Sequence, residues 1–255
     1  MKTSGTKVRL KKLKTEYYIY KKGESGMNYA GLKKTDVANG TGIRVTLFVS
    51  GCTHACKNCF NEEAWDFNYG EKYTKKIEDE VISALDKPYI KGLTLLGGEP
   101  MHPNNQEEVA KLVERVKKEF PEKDIWLFTG FDFNKDILNK MYKFIPTTKK
   151  IIDNIDVLVD GKFVDELKNV KQYFRGSENQ RIIDVQKSLE NMEVTLYDKY
   201  IEDMKWNHIP IDNLKLDNIP EEGKEIIIKR KEEIEKENQI ELEGKQTEII
   251  KERVS

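Results

Sequence analysis

The chain has 255 residues and a formal net charge of -1, with 38% hydrophobic and 35% charged residues. This length is enough for one sizeable domain with appendages, and the near-zero charge excludes a global attraction to nucleic acid or to an anionic membrane. No run of about 18 apolar residues exists and the start has no apolar segment, so we expect no transmembrane helix, no secretory signal and no membrane partner. The only three cysteines lie close together and cannot form a paired disulfide framework, which favours a reducing, cytoplasmic compartment.

The first 26 residues form a basic and polar segment in which lysines and arginines alternate with Tyr17, Tyr18 and Tyr20. One interpretation is a contact arm for nucleic acid or an acidic partner. The interpretation we favour is a solvated extension, because a run of charges usually marks a solvated surface. We therefore expect no nucleic-acid partner.

Strands and helices alternate from about residue 43. Four apolar runs predict buried strands, at residues 45–49, 93–96, 125–129 and 155–159. Helical spacing of apolar residues predicts a helix beginning after Thr74, a second over residues 105–119 and a short third around Ile137, Leu138 and Met141. Continuous apolar strands that alternate with amphipathic helices predict an α/β fold with a parallel sheet covered by helices.

Polar or glycine-rich segments follow each of the four predicted strands. These segments are the cysteine loop, Gly97-Gly98-Glu99-Pro100, Thr129-Gly130 and Asp160-Gly161. In parallel sheets the chemistry gathers at the carboxyl ends of the strands. We therefore expect these four segments to lie together at one edge of the sheet.

The character of the sequence changes after about residue 186. Residues 196–220 show no clear period, and in residues 221–255 charged side chains occupy 19 of 35 positions. Too few apolar residues remain there to form a core. We predict an exposed helix or a mobile tail.

The three cysteines follow the spacing C-x3-C-x2-C, as Cys52, Cys56 and Cys59, and Phe60 comes next. Structural zinc sites and four-iron clusters normally take four protein ligands, so three thiolates leave one metal position open. A zinc site completed by His54 or by a distant ligand is the alternative, although His54 lies awkwardly between two of the cysteines. Thiolate ligands favour a four-iron cluster with one open iron, where a substrate or cofactor binds.

This cysteine motif with its following aromatic residue resembles the signature of the radical S-adenosylmethionine enzymes. The resemblance implies that Cys52, Cys56 and Cys59 are catalytic residues that each bind one iron of a [4Fe-4S] cluster, and that S-adenosylmethionine chelates the fourth iron. Gly98 and Glu99 resemble the family motif that binds the amino group of this cofactor. Glycine permits close backbone approach, and a carboxylate accepts hydrogen bonds from an ammonium group.

Further segments resemble the anaerobic ribonucleotide reductase activating proteins, and the likeness covers about residues 27–185 in order. They include Asn39 to Cys52, Cys59-Phe60-Asn61, Trp65, Gly97 to Pro103, Val157 to Phe163 and Arg175 to Arg181. The resemblance divides the chain into a basic extension (1–26), a radical S-adenosylmethionine core (27–185) and a charged extension (186–255) that typical short activases lack. It implies a partial, open βα barrel, because about 160 residues cannot close a full barrel.

The resemblance also implies an activity, partners and further cofactor contacts. The chain would place a glycyl radical on the large catalytic subunit of anaerobic ribonucleotide reductase, with an electron from a reduced flavodoxin- or ferredoxin-type donor. The implied cofactor contacts are Asn58, Cys59, Phe60, Lys162, Phe163 and Val164.

Several alternatives remain open at this point. Phe60 and Phe163 could pack in the core, Asp160 could bond a ribose or cap a turn, and Arg175 to Arg181 could be a surface turn or a loop facing the partner or cofactor. The enzyme could instead act on another glycyl-radical enzyme, a small molecule or a nucleoside. A zinc-stabilised binding module is the non-enzymatic alternative.

Overall fold

The computed structural model describes residues 26–169 and 172–197. Within these ranges the fold is mixed α/β, with one eight-stranded sheet. The strands are β1 (Asn28–Asp36), β2 (Ile43–Val49), β3 (Glu71–Lys72), β4 (Ile90–Gly97), β5 (Asp124–Phe128), β6 (Val157–Asp160), β7 (Arg181–Asp184) and β8 (Thr195–Leu196). The α-helices of more than one turn are α1 (Lys75–Leu85), α2 (Gln106–Glu119), α3 (Pro146–Asn154) and α4 (Val185–Asn191).

The sheet has the order β3-β1-β2-β4-β5-β6-β7-β8. Its four central strands, β2, β4, β5 and β6, are parallel, as the sequence predicts, and they correspond to the four predicted strands. The two outer strands on each side are antiparallel to their neighbours, which the sequence analysis does not anticipate. The predicted parallel sheet is therefore confirmed for the four central strands, and the antiparallel strands at both margins add to it.

Buried side chains occupy both faces of the central strands. One row across the sheet joins Thr46, Thr94, Trp126 and Val157 in register, and all four are buried. Residues next to each of them along the strands, such as Leu127, point to the opposite face and are buried as well. Burial on both faces explains why the central strands have continuous apolar sequences rather than alternating ones.

Arg44 joins three of the central strands, β2, β4 and β5, near their amino ends. Its side chain is fully buried, and its Nη1 lies 2.5 Å from the carboxylate of Asp124 at the start of β5. Its Nε donates to the Thr94 hydroxyl at 2.7 Å, and its Nη2 donates to the Leu93 carbonyl at 2.7 Å. The guanidinium also lies 5.4 Å from the centre of the Trp126 ring. A buried cation of this kind is held by one counter-charge and several aligned acceptors.

Two of the predicted helices match closely, and the third differs. α1 follows Thr74 and α2 covers the predicted second helix to within one residue. The predicted short helix is a π-helix over Phe133–Met141, capped at its start by the Asp132 side chain. Helix α3, which begins with Pro146, was not predicted.

The sheet extends beyond residue 185, since β8 pairs with β7 in antiparallel fashion. The predicted division at residues 26 and 185 stays a prediction, and residues 1–25 and 198–255, with their predicted extensions, lie outside the described residues. No helix in the described part of the chain is both long and apolar enough to cross a lipid bilayer.

Candidate active site

A cavity of about 460 Å³ lies at the carboxyl ends of the four central strands. Its size falls in the range of small-molecule and cofactor sites. Each central strand contributes the residues that follow it, namely Cys52 after β2, Gly98 at the end of β4, Gly130 after β5 and Gly161 after β6. The expectation that the four strand-end segments meet at one edge is confirmed.

All three cysteines line this cavity, and they do so because of the shape of the loop between β2 and the turn at Glu62–Trp65. Gly51 begins the loop with a φ of 94°, and a Cβ there would lie 2.1 Å from the Phe67 ring. Ala55 and Asn58 also adopt left-handed backbone conformations. These reversals fold the short C-x3-C-x2-C segment back on itself, so that all three cysteines line one space.

The three thiols are free and partly buried. Burial raises the pKa of the Cys52 thiol to about 11 and also raises the pKa of Cys56. Metal binding to either thiol would therefore displace its proton, because the thiolate is the form that ligates metal. No three His, Cys, Asp or Glu side chains of the described residues converge as they would around a single metal ion. A cluster that binds each thiolate through a different iron does not require such convergence.

Gly98 fits against the cysteine loop more closely than any other residue type could. A Cβ at this position would lie 2.8 Å from the carbonyl oxygens of both Gly51 and Ala64. Its backbone N–H donates to the Val49 carbonyl at 2.7 Å. The glycine is therefore required by the close approach of two backbone segments, and it brings the end of β4 to the wall of the cavity.

Glu99 is almost completely buried, with 1% of its surface exposed, and four groups of the chain donate hydrogen bonds to its carboxylate. Oε1 accepts from the Met101 N–H at 2.9 Å and from the Thr129 hydroxyl at 2.8 Å. Oε2 accepts from the Gly130 N–H at 2.8 Å and from the His54 ring at 2.7 Å. Glu99 thus joins the end of β4 to the end of β5 and to the cysteine loop.

His54, whose position between two cysteines makes it an awkward metal ligand, belongs to this network. Its ring Nε2 donates to Glu99, and its ring centre lies 4.6 Å from the centre of the Phe131 ring, with the two rings nearly perpendicular. A Cβ on Gly130 would lie 2.4 Å from this ring, so the glycine leaves room for it. The imidazole therefore fixes the loop between Cys52 and Cys56 against the two central strands.

Four of the predicted non-cysteine cofactor residues line the cavity: Phe60, Gly98, Glu99 and Phe163. The alternative that Phe60 packs in the core is wrong, because 69% of its surface is exposed. Its ring meets Phe163 edge-on at 5.7 Å and lies 5.2 Å from the ammonium of Lys168. The two rings form an accessible aromatic wall beside Cys59.

Asn58 and Lys162 do not line the cavity and lie next to it. The Asn58 amide donates to Asp165 at 2.6 Å, and the Lys162 ammonium donates to the His54 carbonyl at 3.5 Å. Both side chains are exposed. Their predicted contact with a cofactor stays a prediction.

Val164 and Asp160 have structural partners within the chain. The Val164 N–H donates to the Ser177 hydroxyl at 3.2 Å, and Val164 does not line the cavity. Asp160 is buried, accepts a hydrogen bond from the Phe133 N–H at 2.8 Å and forms an ion pair with Arg181. Asp160 therefore joins the end of β6 to the start of the π-helix and to β7. Neither contact caps the turn at Asp160-Gly161, and a bond to a ribose stays a prediction.

Several lining residues were not singled out as site residues from the sequence, among them Asn39, Trp65, Thr129, Arg175 and Gln180. For Arg175 and Gln180, the polar run from Arg175 to Arg181 indicates either a surface turn or a loop that faces the partner or cofactor. The structure places three residues of this run, Arg175, Gly176 and Gln180, at the cavity wall.

The comparisons with known proteins agree with this geometry. A family described as "4Fe-4S single cluster domain" matches residues 38–183. The chain is 44% identical over 156 residues to the anaerobic ribonucleoside-triphosphate reductase-activating protein of Escherichia coli K12, covering 60% of this chain and 96% of that protein. It is 46% identical over 158 residues to the protein of the same name from Vibrio cholerae, with coverage of 61% and 97%. The protein of that name from Enterobacteria phage T4 is 44% identical over 156 residues, with coverage of 61% and 93%.

Proposed function

The chain belongs to the family of anaerobic ribonucleoside-triphosphate reductase-activating proteins, and we propose that it installs a glycyl radical on the large catalytic subunit of an anaerobic ribonucleotide reductase. The observation that carries the proposal is the position of the three cysteines. They face one cavity at the carboxyl ends of the parallel strands, and the Gly98 turn forms the adjoining wall.

The cavity residues fit a [4Fe-4S] cluster with one open iron and a molecule of S-adenosylmethionine. Cys52, Cys56 and Cys59 supply three soft ligands, and no fourth cysteine exists in the chain to close the cluster. When bound, these cofactors supply an electron and the 5′-deoxyadenosyl radical that removes a hydrogen atom from the target glycine. The protein supplies orientation and exclusion of water.

The roles of the surrounding residues follow from their contacts. His54 and Glu99 hold the cysteine loop, while the backbone at Gly98 borders the space for the amino group of the cofactor. Because all four bonds of Glu99 are made within the chain, we assign its carboxylate to holding the loop rather than to the ammonium group. Phe60 and Phe163 offer an aromatic surface for the adenine.

Asn58, Lys162 and Val164 complete the proposed cofactor site from the margin of the cavity. A bound cofactor would reach the exposed side chains of Asn58 and Lys162 at this margin. Lys162 lies on the backbone of the cysteine loop, so it also contributes positive charge beside the thiolates.

We further propose that the sheet is an open barrel of the radical S-adenosylmethionine type. The linear strand order, with β3 and β8 at separate edges, supports this proposal. An open side suits a substrate that is a protein loop rather than a small molecule. The proposed core is residues 27–185, flanked by extensions over 1–26 and 186–255, and the electron comes from a reduced flavodoxin- or ferredoxin-type protein in the cytoplasm.

Anaerobic reconstitution of the full chain with iron and sulfide tests the cofactor assignment. The expected product is a brown protein with about four irons per chain, which cleaves S-adenosylmethionine once a reductant is added. One tightly held zinc and no cleavage would instead identify the zinc-stabilised module. Cleavage without transfer to a reductase subunit would point to another glycyl-radical enzyme, a small molecule or a nucleoside as substrate.

A further inference from the structure

Among the residues that the structure describes, Arg175 is the only lysine or arginine that lines the cavity. The residue before it, Phe174, has a φ of 56°, a left-handed conformation that is uncommon for a residue with a large side chain. The Phe174 ring meets the buried Trp126 ring edge-on at 5.3 Å. This packing fixes the backbone from which the Arg175 side chain extends.

The loop that follows Arg175 is held by one glutamine. The Gln180 side-chain oxygen accepts hydrogen bonds from the N–H groups of Gly176 at 2.8 Å and Ser177 at 3.2 Å. The Gln180 amide donates to the carbonyl of Gly161 at 2.9 Å, which ties the loop to the end of β6. Arg175 therefore occupies a built position at the cavity wall rather than the end of an unsupported loop.

The guanidinium of Arg175 lacks most of the partners that it can bind. Its Nη1 donates to the Gln180 carbonyl at 3.3 Å. Its Nε is buried and has no hydrogen-bond partner, and no acidic side chain of the described residues forms an ion pair with it. A guanidinium has five N–H donors in a planar fork, so most of its capacity is unused.

The neighbouring groups cannot neutralise this charge. The other lining residues include the apolar side chains Leu96, Phe128, Phe163 and Phe174. Within residues 26–169 and 172–197, Glu99 is the only carboxylate that lines the cavity, and its two oxygens already accept four hydrogen bonds. A partly buried cation with an unpaired N–H beside apolar groups is unfavourable unless a ligand supplies the missing acceptors.

We propose that Arg175 binds the carboxylate of S-adenosylmethionine, an inference that rests on the function proposed above. A planar carboxylate accepts two parallel hydrogen bonds from the guanidinium fork, and Nε is one of the two donors that this geometry uses. The methionine part of the cofactor carries such a carboxylate, and the three cysteines define the part of the same cavity where it is bound. Arg175, in the segment between β6 and β7, is then a cofactor-binding residue.

Binding measurements on the reconstituted, cluster-loaded full chain test this assignment. The ligands are S-adenosylmethionine and its decarboxylated analogue, and the variants are Arg175→Met and Arg175→Lys. Arg115→Gln serves as the matched control, because this arginine pairs with Glu78, Asp79 and Glu119 on the helix surface and does not line the cavity. Anaerobic equilibrium dialysis gives Kd for each combination without requiring turnover.

The Met variant should bind S-adenosylmethionine at least about tenfold more weakly than the unsubstituted chain, since hydrogen bonds to charged groups are lost. Its Kd for the decarboxylated analogue should change by less than about twofold, because the cycle isolates the contact between guanidinium and carboxylate. The Kd of Arg175→Lys for S-adenosylmethionine should lie between those of the unsubstituted chain and the Met variant. Arg115→Gln should leave the Kd values for both ligands unchanged.

Equal weakening of both ligands, or no weakening of either, would overturn the assignment while leaving the proposed function intact. So would a variant that binds S-adenosylmethionine normally and loses affinity only for the reductase subunit. If the unsubstituted, cluster-loaded chain binds no S-adenosylmethionine, the proposed function itself fails, and this result is distinct from the others.

Discussion

The two ends of the central strands hold their arginines in opposite ways. At the amino ends, Arg44 is fully buried and is bonded to Asp124, Thr94 and a backbone carbonyl. At the carboxyl ends, Arg175 makes one hydrogen bond and leaves a buried Nε without a partner. Trp126 contacts both regions: the Arg44 guanidinium lies over its ring, and the ring of Phe174, the residue before Arg175, packs against it edge-on.

This difference separates stability from ligand binding within one sheet. A charge that is completely paired inside the protein contributes to the fold and has nothing left for a ligand. A charge that the fold leaves incompletely paired beside a cavity is available to a ligand, at some expense in stability. The same division is general in α/β folds, whose chemistry lies at the carboxyl ends of the strands.

The largest expected effect lies at the carboxyl ends. Cys56→Ala should abolish binding of a four-iron cluster, because two thiolates rarely hold one, while the free energy of unfolding of the metal-free chain changes by less than about 1 kcal/mol. Iron analysis after anaerobic reconstitution and urea unfolding of the metal-free protein measure the two quantities. An undiminished iron content would show that the cysteines are not the ligands.

The second effect lies at the amino ends. Arg44→Met should lower the free energy of unfolding by about 3–5 kcal/mol, because it leaves the Asp124 carboxylate and the Thr94 hydroxyl without their buried partner. Arg175→Met should change the same quantity by less than about 1 kcal/mol. Urea unfolding of the metal-free chains compares them, and equal losses in the two variants would remove the distinction between the two arginines.

The third effect concerns the link between the strands and the cysteine loop. Glu99→Gln replaces acceptors of four hydrogen bonds by an amide that accepts with one atom only, so it should cost about 1–3 kcal/mol of stability. Loss of the His54 bond should also shorten the lifetime of the reconstituted cluster in the presence of a chelator. Thr53→Ala, an exposed change in the same loop, is the control. A cluster lifetime equal to that of the unsubstituted chain would exclude this positioning role.

The smallest effect concerns the exposed aromatic wall. Phe60→Ala should leave the free energy of unfolding within about 0.5 kcal/mol, because the ring is mostly exposed. It should weaken S-adenosylmethionine binding by a few-fold, in line with about 0.5–1.5 kcal/mol for an aromatic pair. Tyr69→Ala, which alters an exposed ring away from the cavity lining, should change neither quantity. Unchanged cofactor binding by Phe60→Ala would place the adenine elsewhere.

The central strands and the cysteine loop could be predicted from the sequence, because both depend on local patterns of residues. Continuous apolar runs mark strands that are buried on both faces, and the spacing of the cysteines defines an incomplete ligand set. The outer strands were not predictable in this way. β1 contains glycine, two lysines and an aspartate, and β3 and β8 have only two residues each.

The remaining site features arise from contacts between distant segments. His54 meets Glu99 across 45 positions of the chain, and no periodicity indicates this pairing. The incomplete pairing of Arg175 is visible only once the neighbours of its guanidinium are known. The exposure of Phe60 likewise depends on a loop conformation set by left-handed residues, Ala55 and Asn58.

The central claim is that the cavity at the carboxyl ends serves radical transfer to a partner protein. Electron spin resonance of the large reductase subunit, after anaerobic mixing with the reconstituted chain, a reductant and S-adenosylmethionine, tests it most directly. We predict a glycine-centred doublet with the unsubstituted chain and none with Cys56→Ala. Absence of the doublet with a chain that holds four irons and cleaves the cofactor would contradict the claim.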